Sequence, residues 1–384
     1  MKSWLWLPMG LALASCGPSA PQGPLQLRPN AVVLSAEEVD AVTPTEMRVQ
    51  TDKELFSGQV VISDEGEGLV RRITEATLTG GQVGGQAVRK FYLRTEEASL
   101  EEAVASGEVT LQTDLTIGEA NMARALEGVS VQEFTGRINL TNVRFEIPNV
   151  PEGRVVLNGF IEQTLKPSFQ LKFSQGSLET FRAGVVGNLK AQITASIEAN
   201  ASYSPFSASR ELAAWNLKRV FLVGNVPVVV VLQPRLVAGV SSQAGGKVGV
   251  SVGIAPTFAT NLQLDYSRLR PLETRWQNTF NASFALNPSF NYATPVEGRG
   301  SAFAGVVLDV KFYGVAGPSL EARPFISLSL NGSSANLKSG ILGKSQVEAG
   351  FRVLGRGLET RYEGPSLEEA RTFSCQAPST CSVN

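Results

Sequence analysis

At 384 residues, the chain has material for two or three domains of about 100–200 residues each. Hydrophobic residues make up 43% and charged residues 18%, and 34 basic against 35 acidic side chains leave a net charge of −1, so no broad field favours nucleic acid. Histidine is absent, which excludes Ser-His-Asp and Cys-His catalysis and every histidine-ligated metal site, and 3 cysteines are too few for a four-cysteine zinc or iron–sulfur centre.

In chain order, Lys2 precedes an apolar run from Trp4 to Ala14. Its length suits a secretory signal and is too short for a permanent transmembrane helix. The run ends in Leu13-Ala14-Ser15-Cys16, which resembles the lipobox of bacterial lipoproteins. The resemblance implies removal of residues 1–15 and transfer of a diacylglycerol to the Cys16 thiol. Gly17 stands where an Asp would imply retention at an inner membrane, so the implied location is the outer membrane, on its periplasmic or exterior face. The stretch 16–30, with four prolines and two glycines after Cys16, reads as a tether, and order is expected from Ala31. No other segment offers about 18 consecutive apolar residues.

Residues 31–125 read as a small β-rich module. Phe56–Ile62, Leu69–Ile73, Val88–Arg94 and Val109–Gln112 are strand candidates, punctuated by turn-rich and Gly-rich breaks. Ser99, followed three residues later by Glu102, is a capping box and predicts a short helix at Leu100–Val104. A second short helix is expected near Glu119–Leu126. Gly58, Val60, Ser63, Gly68, Leu69, Arg71 and Ile73, then Thr95, Glu96, Ala98 and Leu100–Ala103, resemble a module of bacterial secreted and surface proteins. That resemblance implies a surface location and no particular reaction.

Residues 126–372 read as one large antiparallel β domain, a sandwich or a strongly curved sheet. Val248, Val250, Val252 and Ile254 alternate with small or polar residues, and so do Leu262, Leu264 and Tyr266, Phe280–Leu286, and Val347–Val353. Gln243–Gly246 is expected to turn that first strand back on Arg235–Val240. Val226–Leu232 is apolar at every position and must be covered on both faces. One helix is expected at Ser209–Leu217. In the tail, 373–384, five residues lie between Cys375 and Cys381, Pro378 among them, a spacing that suits a disulfide in an oxidising compartment.

No P-loop, GxGxxG, GxSxG or HExxH pattern occurs, and no cofactor, metal or catalytic set is expected. The acidic turn Asp64–Glu67 lacks the spacing of a calcium loop and reads as solvated. Glu96-Glu97 and Glu101-Glu102 are paired carboxylates of the kind glycoside hydrolysis uses, although capping explains them as well. Arg268, Arg270 and Arg275 form the only local basic cluster, too sparse to track a nucleic-acid backbone. Among the aromatics from Trp276 to Tyr292, Trp276 and Tyr292 are the candidate binding residues, with Trp276 expected to be exposed between polar neighbours, whereas Phe280 and Phe284 fit a core face. The expected role is that of a lipid-anchored envelope protein that binds or supports without catalysis. Its partners would be the membrane and an envelope polymer or another surface protein. The alternatives are a carrier of an apolar ligand in an enclosed cavity, a carboxylate-dependent polysaccharide hydrolase, and a membrane barrel.

Overall fold

The computed structural model describes residues 24–80, 89–115, 122–132, 136–246, 248–255, 257–285, 288–292, 297–332, 334–347, 352–355, 358, 361–376 and 380–383. Of the described residues, 75% are in strands and 4% are helical, with curled antiparallel sheets, so the fold is mainly β as expected. The expected signal, Cys16 and the 81–88 stretch with Gly81, Gly84, Gly85 and Val88 lie outside the described residues.

Two large sheets are built around a few very long strands. In the first, Arg154–Ser174 and Ser177–Ala199, of 21 and 23 residues, form a hairpin about 70 Å long at about 3.3 Å per residue. They join at Gln175 and Gly176, whose φ angles of 50° and 71° are the left-handed pair that matches strand twist in a two-residue turn. Each long strand carries two shorter partners end to end. Arg154–Ser174 pairs with Arg137–Glu146 and then Val104–Gln112, and Ser177–Ala199 pairs with Thr257–Ser267 and then Val248–Ile254. The second sheet repeats the device on Val226–Ala244, which serves Leu217–Val223 and then Tyr203–Trp215 along one side. Its other side pairs with Gly298–Phe312, and the sheet continues through Val315–Asn331, Ser334–Val347 and Leu367–Gln376.

The sheets face each other across one continuous buried cluster. Phe169 and Phe181 from the first sheet meet Phe312 of the second edge-on, with centroids 5.4 and 5.8 Å apart. Period-two burial holds where the sequence shows it: Leu262, Leu264 and Tyr266 are buried between exposed or half-buried neighbours.

A third sheet of six strands closes one end of this sandwich, in the order Ala31–Leu34, Val60–Ser63, Leu69–Gly80, Arg89–Glu97, Glu46–Thr51 and Val39–Val42. Val60, Ile62 and Val70 point into the main core, while Val61, Met47, Val49, Ile73 and Leu93 form a small core of their own. Val60–Ser63 is therefore buried along its whole length. The sheet also covers the outer face of Val226–Leu232, all of which is buried: Gly68, at φ 88°, lies so close to Val229 that a Cβ there would sit 2.6 Å from the valine Cβ. This sheet ends at Glu97, and Val104–Gln112 and Met122–Ala125 already belong to the large sheets.

Several local expectations need correction. Order begins earlier than Ala31, because Leu25 is buried and Gln26–Leu27 pairs with the edge strand at Val104–Ser106. The helix expected at Ser209–Leu217 is strand Tyr203–Trp215: a bulge between Glu211 and Ala213 puts Leu212 and Ala213 both inside, which imitates helical spacing in the sequence. Good helix formers such as Leu and Ala are overruled there by pairing with the neighbouring long strand. The second helix, expected near Glu119–Leu126, is strand Met122–Ala125 over its described part, added to the edge at Ala213–Trp215. Arg235–Val240 and Val248–Ile254 do not form a hairpin, because the chain crosses between the two sheets after Ala244. The helix at the capping box does form, as a single turn at Leu100–Ala103 with both reciprocal bonds present.

Candidate functional site: an arginine-lined cleft

Where the first sheet, the helical turn and the closing sheet meet, a polar-walled cleft of about 640 Å³ opens to solvent. Arg28, Arg72, Arg268 and Arg275 line it, together with Glu101 and Glu102. Four guanidinium groups against two carboxylates leave a formal surplus of two positive charges in the wall.

Local folding explains each placement. The capping box holds Glu102 at the N-terminus of the turn, where its carboxylate accepts the Ser99 backbone N–H at 3.3 Å and pairs with Arg72. Arg72 also donates to Glu96 at 2.8 Å across the neighbouring strand pair. Burial disfavours the Arg72 charge, but Glu102 and Glu96 outweigh it and raise the pKa above the usual arginine value. Glu101 accepts the Leu178 N–H at 2.7 Å and lies 3.7 Å from Arg268. Arg28 enters over the Gln175-Gly176 turn and donates to the Gly176 carbonyl at 2.9 Å. Glycine suits position 176 for its positive φ, and the Arg28 guanidinium lies against its open side. Arg275 ends the loop after strand Thr257–Ser267, whose base is closed by a 3.0 Å bond from Ser267 N–H to the Arg275 carbonyl.

Two of the arginines are left incompletely satisfied. Arg28 Nε and Arg275 Nε are buried without a hydrogen-bond acceptor, and among the described residues neither side chain has a carboxylate in ion-pair range. A buried charged donor without an acceptor is costly unless something supplies one. Tyr266 lies behind them. Burial raises its phenol pKa and outweighs the opposing pull of Arg275 and Arg268, so it stays a neutral hydroxyl.

The sequence-derived candidates fall elsewhere. Trp276 is a correction: it is only 7% exposed, stacked on Tyr362 at 5.9 Å and tilted against Tyr266 at 5.1 Å. Its polar neighbours in sequence point out of the strand while the indole points in. Tyr292 pairs through its backbone with Val250, and its side chain lies outside the described residues, as do those of Phe284 and Phe290. Phe280 is buried, on the core face. Cys375 is buried, and the hairpin Leu367–Gln376 with Thr380–Val383 sets it directly opposite Cys381. The acidic turn is occupied by structural bonds: Asp64 accepts the Ala36 N–H at 2.9 Å, and Glu67 lies 3.8 Å from Lys311. Sequence reasoning missed Arg28 and Arg72, which are separated from the loop arginines by most of the chain; no local pattern marks them.

Between the sheets, the described residues form one packed hydrophobic cluster. The cavity walled by Leu165, Val185, Leu262, Val306 and Leu320 leaves about 20 Å³, room for no more than a water. Comparisons with protein families, with characterised proteins and with solved structures find no match to this chain.

Proposed function

We propose that the protein is a lipid-anchored protein of the bacterial envelope that binds a partner and carries out no reaction. The observation that carries the binding half is the arginine-lined cleft with its buried, acceptor-less Nε atoms. The lipobox Leu13-Ala14-Ser15-Cys16 supports the anchor, since acyl chains bury about 0.8 kcal/mol per methylene. The similarity of residues 56–103 to a module of secreted and surface proteins supports the same location.

Within the cleft, Glu101 and Glu102 each already hold backbone N–H groups and an arginine, which speaks for positioning over acid–base chemistry. The small cavity at Leu165, Val185, Leu262, Val306 and Leu320, with room for no more than a water, speaks against an apolar cargo at that place. A disulfide between Cys375 and Cys381 is part of this reading. Facing residues of an antiparallel pair lie about 4.5–5.5 Å apart at Cα, within the range a disulfide spans.

Fractionation of cells with and without detergent tests the anchor. The chain should appear in the membrane fraction and need detergent for release, and recovery of the full chain in the soluble cytosol would contradict the proposal.

A further inference from the structure

We infer that the end of the molecule bearing the cleft is a membrane-docking face. In it the arginines take the phosphates of anionic phospholipids, and the loop 268–275 enters the headgroup–acyl boundary. The inference deepens the envelope reading and rests on it for the lipid at Cys16 that holds this end at the membrane.

Three observations meet at this end. The loop between strands Thr257–Ser267 and Trp276–Ala285 exposes two leucines, Leu269 at 83% and Leu272 at 75%, between Arg268, Arg270 and Arg275. A single exposed leucine needs no explanation. Here two project from one loop whose base is fixed, with Arg268 N–H on the Glu179 carbonyl at 2.9 Å and Ser267 N–H on Arg275 at 3.0 Å. Apolar tips flanked by guanidinium groups match the layered polarity of a bilayer surface.

Second, the described chain enters at this end. Pro24 lies against the turn at Gly224, where a Cβ would be 3.5 Å from the proline ring, and Leu222 beside it is a further exposed leucine at 75%. Seven residues, 17–23, separate Cys16 from Pro24, a reach of about 23 Å when extended. A lipid at Cys16 therefore keeps this end, and no other, next to the membrane.

Third, the charge is complementary. Arg28 and Arg275 line the cleft and lack carboxylate partners among the described residues, so their half-exposed guanidinium groups keep uncompensated positive charge there. Guanidinium groups bind phosphate oxygens through paired N–H donors, and each basic residue near an anionic surface strengthens binding about fivefold. A soluble phosphate ester would use the cleft but leave the leucines without a role, which favours the lipid headgroup.

The test places a tryptophan in the full-length protein, reconstituted into phosphatidylcholine vesicles holding about one part phosphatidylglycerol in four, with brominated acyl chains as quencher. Leu272→Trp should be quenched strongly, and Asn331→Trp, in the exposed turn at the opposite end, should match the parent. Arg268→Gln with Arg275→Gln, in the Leu272→Trp background, should reduce the quenching several-fold, and high salt should do the same. Near-ultraviolet circular dichroism of the buried aromatics confirms that each variant is folded. Equal quenching at residues 272 and 331, or none at 272, would overturn the inference. So would loss of the 272 signal on adding millimolar glycerol 3-phosphate, which would make the cleft a soluble-phosphate site. The mass of the N-terminal peptide decides the anchor separately, so failure of the docking face and failure of the anchor are distinguishable.

Discussion

The space between the two large sheets and the cleft at their end are opposites. Between the sheets, aromatic and aliphatic side chains close on one another, and the cavity walled by Leu165, Val185, Leu262, Val306 and Leu320 leaves about 20 Å³. In the cleft, about 640 Å³ stays open, and charged donors are buried without acceptors. The first arrangement is satisfied by apolar contacts within the chain; the second keeps two guanidinium Nε atoms without an acceptor among the described residues. On the proposed reading, a packed interior beside a polar rim with unmet donors belongs to a protein that holds a partner at its surface.

Substitutions sharpen this contrast, beginning with the core. Phe312→Ala removes a ring fully buried between Phe169 and Phe181 and should cost about 3–5 kcal/mol, read as a lower denaturant midpoint with the slope unchanged. A loss under about 1 kcal/mol would mean that the sheets are not packed as described. Next, Cys375→Ser should lower stability by about 2 kcal/mol if the proposed bridge closes its short loop, and adding reductant should lower the parent to the same level. No effect of reductant on the parent would remove the bridge. Gly68→Ala, at φ 88° and against Val229, should cost about 1–3 kcal/mol by loosening the closing sheet from the Val226–Leu232 strand.

Arg275→Gln should reverse the sign of the effect. Removing a buried charged donor with no acceptor should leave stability unchanged or raised while vesicle binding falls about fivefold. A clear destabilisation would show that the chain itself already satisfies Arg275. The smallest effect concerns pH. Burial raises the Glu38 pKa, but hydrogen bonds from Lys53, Thr51 and the Ser35 N–H outweigh it and hold the carboxyl below its ordinary value of 4.5. A carboxyl depressed on folding stabilises above the unfolded pKa, and that stability fades as pH falls through the folded pKa. Glu38→Gln should therefore flatten the acid limb of unfolding below about pH 4.5 and change little at neutral pH. An unchanged acid limb would remove Glu38 from the account.

The core was readable where alternation was unbroken, as at Leu262, Leu264 and Tyr266, and where a run was apolar throughout, as at Val226–Leu232. It was unreadable where a bulge shifted the phase, at Glu211–Ala213, and where the chain changed sheets after Ala244, because neither event has a local composition signal. Trp276 misled for a related reason: polar neighbours describe the opposite face of a strand, not the face its indole occupies. The capping box at Ser99–Glu102 was legible because its bonds span only three residues. The cleft was not. Its arginines come from the entering segment, the closing sheet and a distant loop, and only the fold brings them together.

The most direct test of the account is the intact mass of the mature N-terminal peptide from purified membranes. The account predicts a chain beginning at Cys16 with a diacylglycerol on its sulfur. A chain still carrying residues 1–15, with the Cys16 thiol free, would contradict it.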